Sequence, residues 1–238
     1  MLETLSRSVF SWVFPLQCQL CSSVLPSQNP TGICPSCQKT LRFIPAPHCR
    51  GCGRTVVTHA EKCERCLVET FHFDRAFACV FYESEIKNLL HCFKFARKKF
   101  LGRFFSEAMI KFAARHVPPA SWDLAVPVPI DGFRKNERGF DQAKLLSLGL
   151  ARKFFKPHES GALRCATHNR PQAFLGKKER RANARGRFFV PDPSKVAGRR
   201  ILLIDDILTT GQTFSACAKA LKAAGARAVT ALAFARGI

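Results

Sequence analysis

The chain has 238 residues, and its 38 Lys and Arg against 17 Asp and Glu give a formal net charge of +21. This length allows one sizeable α/β core with a small additional module, and the chain has no apolar run long enough to span a membrane. So large a basic excess favours a polyanionic partner, such as nucleic acid or an anionic membrane surface, over simple solubility.

The first residues place Leu2, Leu5, Val9 and Val13 near helical spacing, without a basic start or a small-residue cleavage site. We therefore expect no secretory signal. The expected location is the cytoplasm, with the inner face of the cytoplasmic membrane as an alternative.

Twelve cysteines in a chain without an export signal favour metal binding over disulfides. Eight of them form four Cys-x-x-Cys pairs, separated by 12, 11 and 10 residues: Cys18/Cys21, Cys34/Cys37, Cys49/Cys52 and Cys63/Cys66. Two pairs complete one closed tetrahedral Zn²⁺ site, so the pattern predicts structural zinc, with two ions. The nearby His48, His59 and His72 are not needed as ligands.

The pairing of these cysteines is open at the level of sequence. Adjacent pairs would give two zinc ribbons in series, whereas a cross-braced arrangement would join the first pair to the third. In either case we assign residues 1–70 to a double zinc-ribbon module, because its many prolines break it into turns that cannot hold a core without metal.

Residues 71–238 form the second predicted domain, which begins with a strand from Ala76 to Tyr82. A helix face with Ile86, Leu89, Leu90 and Phe93 follows, and a second helix runs from Leu101 to about His116. Cations alternate with phenylalanines between and around these helices, a pattern typical of single-stranded nucleic-acid grooves. The cations assigned to DNA binding here are Lys94, Arg97, Lys98, Lys99 and Arg103; most of the phenylalanines are expected to face the core.

A short strand from Leu124 to Val128 precedes a basic segment with Arg134 and Arg138. Lying beyond the carboxyl end of a strand, these arginines would suit a pyrophosphate; the alternative is a solvated charged loop. A helix carrying Leu145, Leu146 and Leu150 comes next.

A second basic stretch runs from Lys177 to Arg187 and includes Lys178, Arg180 and Arg181. It is a candidate for a lid over a ligand, for the DNA surface, or for both.

The segment from Ile201 to Thr213 carries the strongest functional signal. Its sequence is Ile-Leu-Leu-Ile-Asp-Asp-Ile-Leu-Thr-Thr-Gly-Gln-Thr. Four aliphatic residues predict a central parallel strand, and two carboxylates at its end should emerge at the sheet edge where α/β folds bind ligands. The hydroxyls and the glycine then begin a helix whose free N–H groups would hold a phosphate monoester, with the carboxylates within reach of a ribose diol. A final strand is expected from Val229 to Phe234.

This segment resembles the phosphoribosyl-pyrophosphate (PRPP) loop of type I phosphoribosyltransferases. The resemblance implies an α/β fold with a parallel sheet, and PRPP bound with Mg²⁺. Asp205 and Asp206 would be the catalytic, ribose-holding acids, and Thr209, Thr210, Gly211, Gln212 and Thr213 would bind the 5′-phosphate.

Further motifs narrow the resemblance to the ComF family of competence and DNA-uptake proteins. They are the four cysteine pairs, the run Arg138-Gly139-Phe140-Asp141-Gln142, and the spaced residues Gln172, Leu175, Arg180, Asn183 and Phe188. Asp141 departs from the family pattern, which often has Asn there. The resemblance implies a protein that binds PRPP and single-stranded DNA during DNA uptake, with a competence helicase or other uptake proteins as partners. The alternatives are a phosphoribosyltransferase acting on an unidentified acceptor and a PRPP-sensing regulator without turnover.

Overall fold

A four-stranded parallel sheet lies at the centre of the computed structural model, which describes residues 16–57, 62–96, 98–166 and 187–237. The strands along the chain are β1 (Arg75–Phe81), β2 (Leu124–Pro127), β3 (Arg164–Cys165), β4 (Phe188–Phe189), β5 (Arg200–Leu208) and β6 (Ala228–Arg236). The central sheet has the order β1-β6-β5-β2, and β3 and β4 form a separate antiparallel pair. The predicted α/β class with a parallel sheet is confirmed.

The helices are α1 (Pro35–Lys39), α2 (Glu64–Val68), α3 (Ser84–Phe95), α4 (Leu101–His116), α5 (Gly132–Arg138), α6 (Gln142–Lys153) and α7 (Gln212–Ala223). Helix α4 has the predicted bounds. Helix α5 was not predicted, since the sequence reading placed a basic segment there without assigning a helix. Asp131 starts this helix by accepting a hydrogen bond from the Arg134 N–H at 2.9 Å, and Gly139, with φ of 74°, ends it.

Both faces of the sheet are buried, as its parallel strands require. On one face, Leu202 and Phe234 pack under α3, α4 and α6. On the other, Leu203 and Val229 pack under α7. The alternation along β5 and β6 sends successive side chains into these two cores.

The cysteine-rich part packs directly on this domain. Cys18, Leu25 and Ile33 belong to the same core cluster as Phe93 and Phe105. Farther along, the Ala76 N–H of β1 donates to the Gly51 carbonyl at 2.8 Å.

Across the described ranges, no helix combines the length and the apolar character that crossing a bilayer would require.

Strand β5 is longer than the sequence predicted, and this extension creates the opening where the carboxylates lie. The aliphatic run was expected to end at Ile204, but the backbone continues to pair with β6 through Asp205 to Leu208. Its other neighbour, β2, pairs only as far as Ile204, where Pro127 ends that strand. The last residues of β5 therefore border open space on the β2 side.

Candidate functional site

A cavity of about 290 Å³ lies at the carboxyl end of β5. It is lined by residues from β5, from the loop after β5, and from the segments on both sides of α5. Six of the residues predicted to bind PRPP line it together: Arg134, Arg138, Asp205, Asp206, Thr209 and Thr213. Residues that are far apart in the chain thus form one polar site at the edge of the sheet.

The two acids of β5 differ in their surroundings. Burial, and next the neighbouring Asp206, raise the pKa of Asp205 to about 8. Asp206 is 5 % exposed, and its Oδ2 lies 3.0 Å from the Lys94 Nζ of α3. A buried carboxylate needs a cationic or hydrogen-bonding partner, and Lys94 supplies it for Asp206.

Thr209, Thr210 and Gly211 form the turn between β5 and α7, which we call the phosphate loop together with Gln212 and Thr213. Gly211 is the N-cap of α7, with φ of 82°, and no described side chain caps the helix there. First-turn N–H groups of α7 are therefore available to an anion. Thr209 and Thr213 line the cavity. Thr210, Gly211 and Gln212 belong to the turn but are not among the residues that line the cavity.

Arginines form the opposite wall of the cavity. Arg134 and Arg138 of α5 line it together with Arg187. Arg138 Nη1 donates to Gln142 Oε1 at 3.2 Å, but among the described residues Arg138 Nε and Gln142 Nε2 have no hydrogen-bond partner. Because Gln142 is only 2 % exposed, its free N–H group is a buried donor available to a ligand in this cavity.

Asp141, which departs from the family pattern, has a local structural role. Its Oδ1 accepts a hydrogen bond from the Lys144 N–H at 2.9 Å and so caps α6. Asn caps helices equally well, which explains why either residue fits here. Burial is the main cause of the raised pKa of Asp141, and Asp206 adds to it.

The eight paired cysteines form two sets of four, each suited to one metal ion. Cys18, Cys21, Cys34 and Cys37 form the first, and Cys49, Cys52, Cys63 and Cys66 form the second. Adjacent pairs therefore combine in series, and the cross-braced alternative does not occur. The sulfur atoms of each set lie within 4.8 Å of one another.

Backbone N–H groups also donate hydrogen bonds to sulfur atoms of both sets. Cys34 N donates to Cys18 Sγ at 3.3 Å, and Cys63 N donates to Cys49 Sγ at 3.2 Å. All-sulfur donor sets of this kind are structural zinc sites with no open position for catalysis. Of the nearby histidines, His48 bonds the Ile44 carbonyl and His72 bonds Ser215, while His59 lies outside the described residues.

The cations predicted to bind DNA do not share one environment. Lys94 pairs with Asp206 inside the cavity, so its charge is already used there. Lys98 Nζ bonds Gln19 Oε1 at 2.5 Å, whereas Lys99 and Arg103 are exposed near the start of α4. The remaining predicted residues, Arg97, Lys177, Lys178, Arg180 and Arg181, lie outside the described residues.

Of the phenylalanines in the same region, Phe93, Phe104 and Phe105 are buried, as expected for core residues. Phe95 and Phe100 are 47 % and 39 % exposed. The Phe95 ring is covered by the Arg138 guanidinium at 5.4 Å, which places Phe95 beside the cavity.

Sequence reasoning assigned Lys94 to the DNA surface and gave no ligand role to Gln142. A signal for Gln142 was present, since it belongs to the motif that begins at Arg138. For Lys94 there was none, because only the packing of α3 against the end of β5 brings it to Asp206.

Two family models match the chain. A double zinc ribbon domain matches residues 9–67, and a phosphoribosyl transferase domain matches residues 149–237. Competence protein F of Haemophilus influenzae is 28% identical over 209 residues, covering 86% of this chain and 90% of that protein. The DNA utilization protein YhgH of Escherichia coli K12 is 29% identical over 218 residues, covering 90% and 94%.

Competence protein ComFC of Bacillus subtilis is 29% identical over 235 residues, and the match covers 91% of this chain and 93% of that protein. Each of these three matches covers at least 86% of this chain. The chain thus resembles competence proteins of the ComF family over most of its length, and the predicted double zinc ribbon module followed by a phosphoribosyltransferase-like domain is confirmed.

Proposed function

We propose that this protein binds PRPP with Mg²⁺ in the cavity at the end of β5, binds single-stranded DNA on a separate basic surface, and acts in DNA uptake during natural transformation. The observation that carries the proposal is the cavity itself. In it, Asp205, Asp206 and two threonines face the arginines of α5 across a space of about 290 Å³.

Each part of PRPP has a chemical counterpart in this cavity. The phosphate loop, at the N-terminus of α7, suits the 5′-phosphate, and the carboxylates of Asp205 and Asp206 suit the ribose diol. Arg134 and Arg138 suit the pyrophosphate, since guanidinium groups bind phosphate oxygens in pairs. Mg²⁺ would neutralise part of the pyrophosphate charge, and the carboxylates lining the cavity are the oxygen donors that this ion prefers.

A second groove supports DNA binding outside the cavity. It lies between α4 and α6 and has a volume of about 300 Å³. Lys99, Arg103 and Arg152 rim it, and Ile110, Leu145 and Leu148 contribute apolar surface. The cations match the phosphates of a single strand, and contacts to phosphates read little sequence.

The names of the relatives support the cellular role. Two of them are competence proteins, and one is a DNA utilization protein. Uptake proteins that handle incoming single strands in the cytoplasm, a competence helicase among them, are the partners we propose. The basic excess of the chain agrees with transient contact with such strands.

The second candidate is a phosphoribosyltransferase that moves ribose 5-phosphate from PRPP to an acceptor. The match of residues 149–237 to a phosphoribosyl transferase domain favours it. In that case Asp205 and Asp206 would hold the ribose while pyrophosphate leaves, and the basic stretch from Lys177 to Arg187 would close over the ligand. Arg187 lines the cavity.

Two measurements test these proposals. Calorimetric titration of the zinc-loaded protein with PRPP and Mg²⁺ should show one site per chain, and no heat of binding would refute the PRPP site. Release of pyrophosphate from PRPP in the presence of candidate acceptors would favour the transferase, whereas binding without release favours the DNA-uptake protein.

A further inference from the structure

The second cysteine cluster, formed by Cys49, Cys52, Cys63 and Cys66, lies against the phosphate loop. Helix α2, which contains Cys66, also carries Arg65, whose side chain is partly buried. Arg65 Nη2 donates to the Thr210 carbonyl at 2.8 Å and to Glu69 Oε2 at 2.7 Å. A residue between two zinc ligands therefore holds the backbone of the turn that starts α7.

Phe71 makes a second contact between the same two parts. Its ring packs against the cysteine cluster and lies over Gly211, with Cε1 3.2 Å from the position that a Cβ would occupy there. The Arg65 guanidinium covers the ring at 5.5 Å. Any side chain at residue 211 would meet this ring and would also be strained by the positive φ.

His72 makes a third contact, in the first turn of α7. Its backbone N–H donates to Ser215 Oγ at 3.0 Å. The first cysteine cluster has a different neighbourhood, because Gln19 bonds Lys98 and Gly32 lies against the Phe100 ring, both near the start of α4. The two clusters thus support different parts of the molecule.

We propose that Arg65 is a positioning residue for the phosphate loop, which it holds through the Thr210 carbonyl in the orientation that binds a 5′-phosphate. The second cluster anchors Arg65 by fixing α2, and Glu69 fixes its guanidinium through two hydrogen bonds to Oε2, from Nε at 2.9 Å and from Nη2. This inference rests on the proposed PRPP site. It predicts that replacing Arg65 weakens binding of the 5′-phosphate and leaves the affinity for pyrophosphate unchanged.

The test compares ribose 5-phosphate with pyrophosphate, each titrated with Mg²⁺ by calorimetry. The variants are Arg65→Ala, Arg65→Lys and, as control, Lys195→Ala, which breaks another exposed ion pair, with Glu159 at 3.3 Å. The Arg65→Ala variant should bind ribose 5-phosphate and PRPP with an affinity roughly five- to tenfold lower, because the ligand itself must then order the phosphate loop.

Pyrophosphate affinity and zinc content should stay at wild-type values in Arg65→Ala, and Lys195→Ala should bind all three ligands normally. Arg65→Lys should recover part of the loss, since lysine can still donate to the Thr210 carbonyl but lacks the fork that also binds Glu69. A uniform loss of all three ligands would mean that Arg65 only maintains the fold, and would overturn the inference.

The outcomes separate this inference from the proposed function. Wild-type protein that binds no PRPP would remove both. Wild-type protein that binds PRPP, with an Arg65→Ala variant that binds ribose 5-phosphate equally well, would overturn the inference alone. If Arg65→Ala loses zinc, the Glu69→Gln variant decides, because it keeps the Arg65 guanidinium but loosens its orientation. Its affinity for ribose 5-phosphate should fall roughly two- to threefold. An unchanged affinity would refute the inference.

Discussion

Lys94 Nζ lies 3.0 Å from Asp206 Oδ2, so a cation of the basic, phenylalanine-rich segment and an acid of the PRPP-loop motif form one ion pair. The Lys94 side chain is 16% exposed and that of Asp206 is 7% exposed. Asp205 and Asp141 line the same cavity, so this lysine balances part of a concentrated negative charge. Helix α3 is thereby tied electrostatically to the end of β5.

Replacing Lys94 with Met should destabilise the fold, because it leaves a buried carboxylate next to two other acids. Removing one partner of a buried pair costs about 3 kcal/mol or more. We expect a loss of this size in the free energy of unfolding measured in urea. The double variant Lys94→Met with Asp206→Asn should recover most of it, and equal instability of the single and double variants would show that the ion pair is not the cause.

Asp205 should make the stability of the protein depend on pH. Its pKa is raised from 3.8 to about 8, so the folded protein keeps a proton that the unfolded chain has already lost between these values. The unfolded state then binds fewer protons, and the contribution of this group to stability falls as pH rises from about 4 to about 8. Asp205→Asn removes this titration.

The measurement is the free energy of unfolding of both proteins at pH 6, 7 and 8, where zinc ligation is maintained. The stability of Asp205→Asn relative to wild type should increase with pH by up to about 1.4 kcal/mol per pH unit. Parallel pH dependences of the two proteins would show that Asp205 is already ionised in the folded state.

Zinc should be bound by each cluster independently. Native mass spectrometry should find two zinc ions per chain, one in Cys18→Ser, and two in the control Cys92→Ser, which changes a partly buried cysteine outside both clusters. Removal of zinc should unfold residues 1–70, which we propose as a separate module, and leave the sheet domain largely intact. A zinc-free protein with a folded N-terminal part would contradict this assignment.

The sequence was most informative where the functional residues are close together along the chain. The acids, hydroxyls and glycine from Asp205 to Thr213 are contiguous, so their chemistry could be predicted without the fold. The same holds for the cysteine pairs, although only the structure showed that adjacent pairs combine into each four-cysteine set.

Contacts between distant segments could not be predicted in this way. Arg65 bonds Thr210 and Lys94 bonds Asp206 because helices from other parts of the chain pack beside β5. Helix α5 was missed because it is short and its exposed basic residues show no apolar periodicity. Its start at Asp131 and its end at Gly139 were the available signals.

DNA binding should depend on the groove between α4 and α6. Reversing two rim charges, Lys99→Glu with Arg152→Glu, should remove two phosphate contacts and lower the slope of log affinity against log salt by about 1.4 for single strands. The control is Lys219→Glu, an exposed lysine of α7 on the opposite face of the sheet. An unchanged slope in the double variant would place the DNA surface elsewhere, for example on the zinc module or the stretch from Lys177 to Arg187.

The central claim is that one chain holds PRPP and DNA at separate sites, and the double variant Asp205→Ala with Asp206→Ala tests it most directly. It removes the groups proposed to hold the ribose diol, and each lost charged hydrogen bond costs about 1.5 to 3 kcal/mol. Calorimetry with PRPP and Mg²⁺ should therefore show at least a roughly tenfold loss of affinity.

DNA titration of the same folded variant at fixed salt should show unchanged or slightly stronger binding, because the variant carries less negative charge than the wild-type protein. An equal loss of both ligands, with the fold intact by circular dichroism, would mean that DNA occupies the phosphate loop itself and would contradict the two-site account.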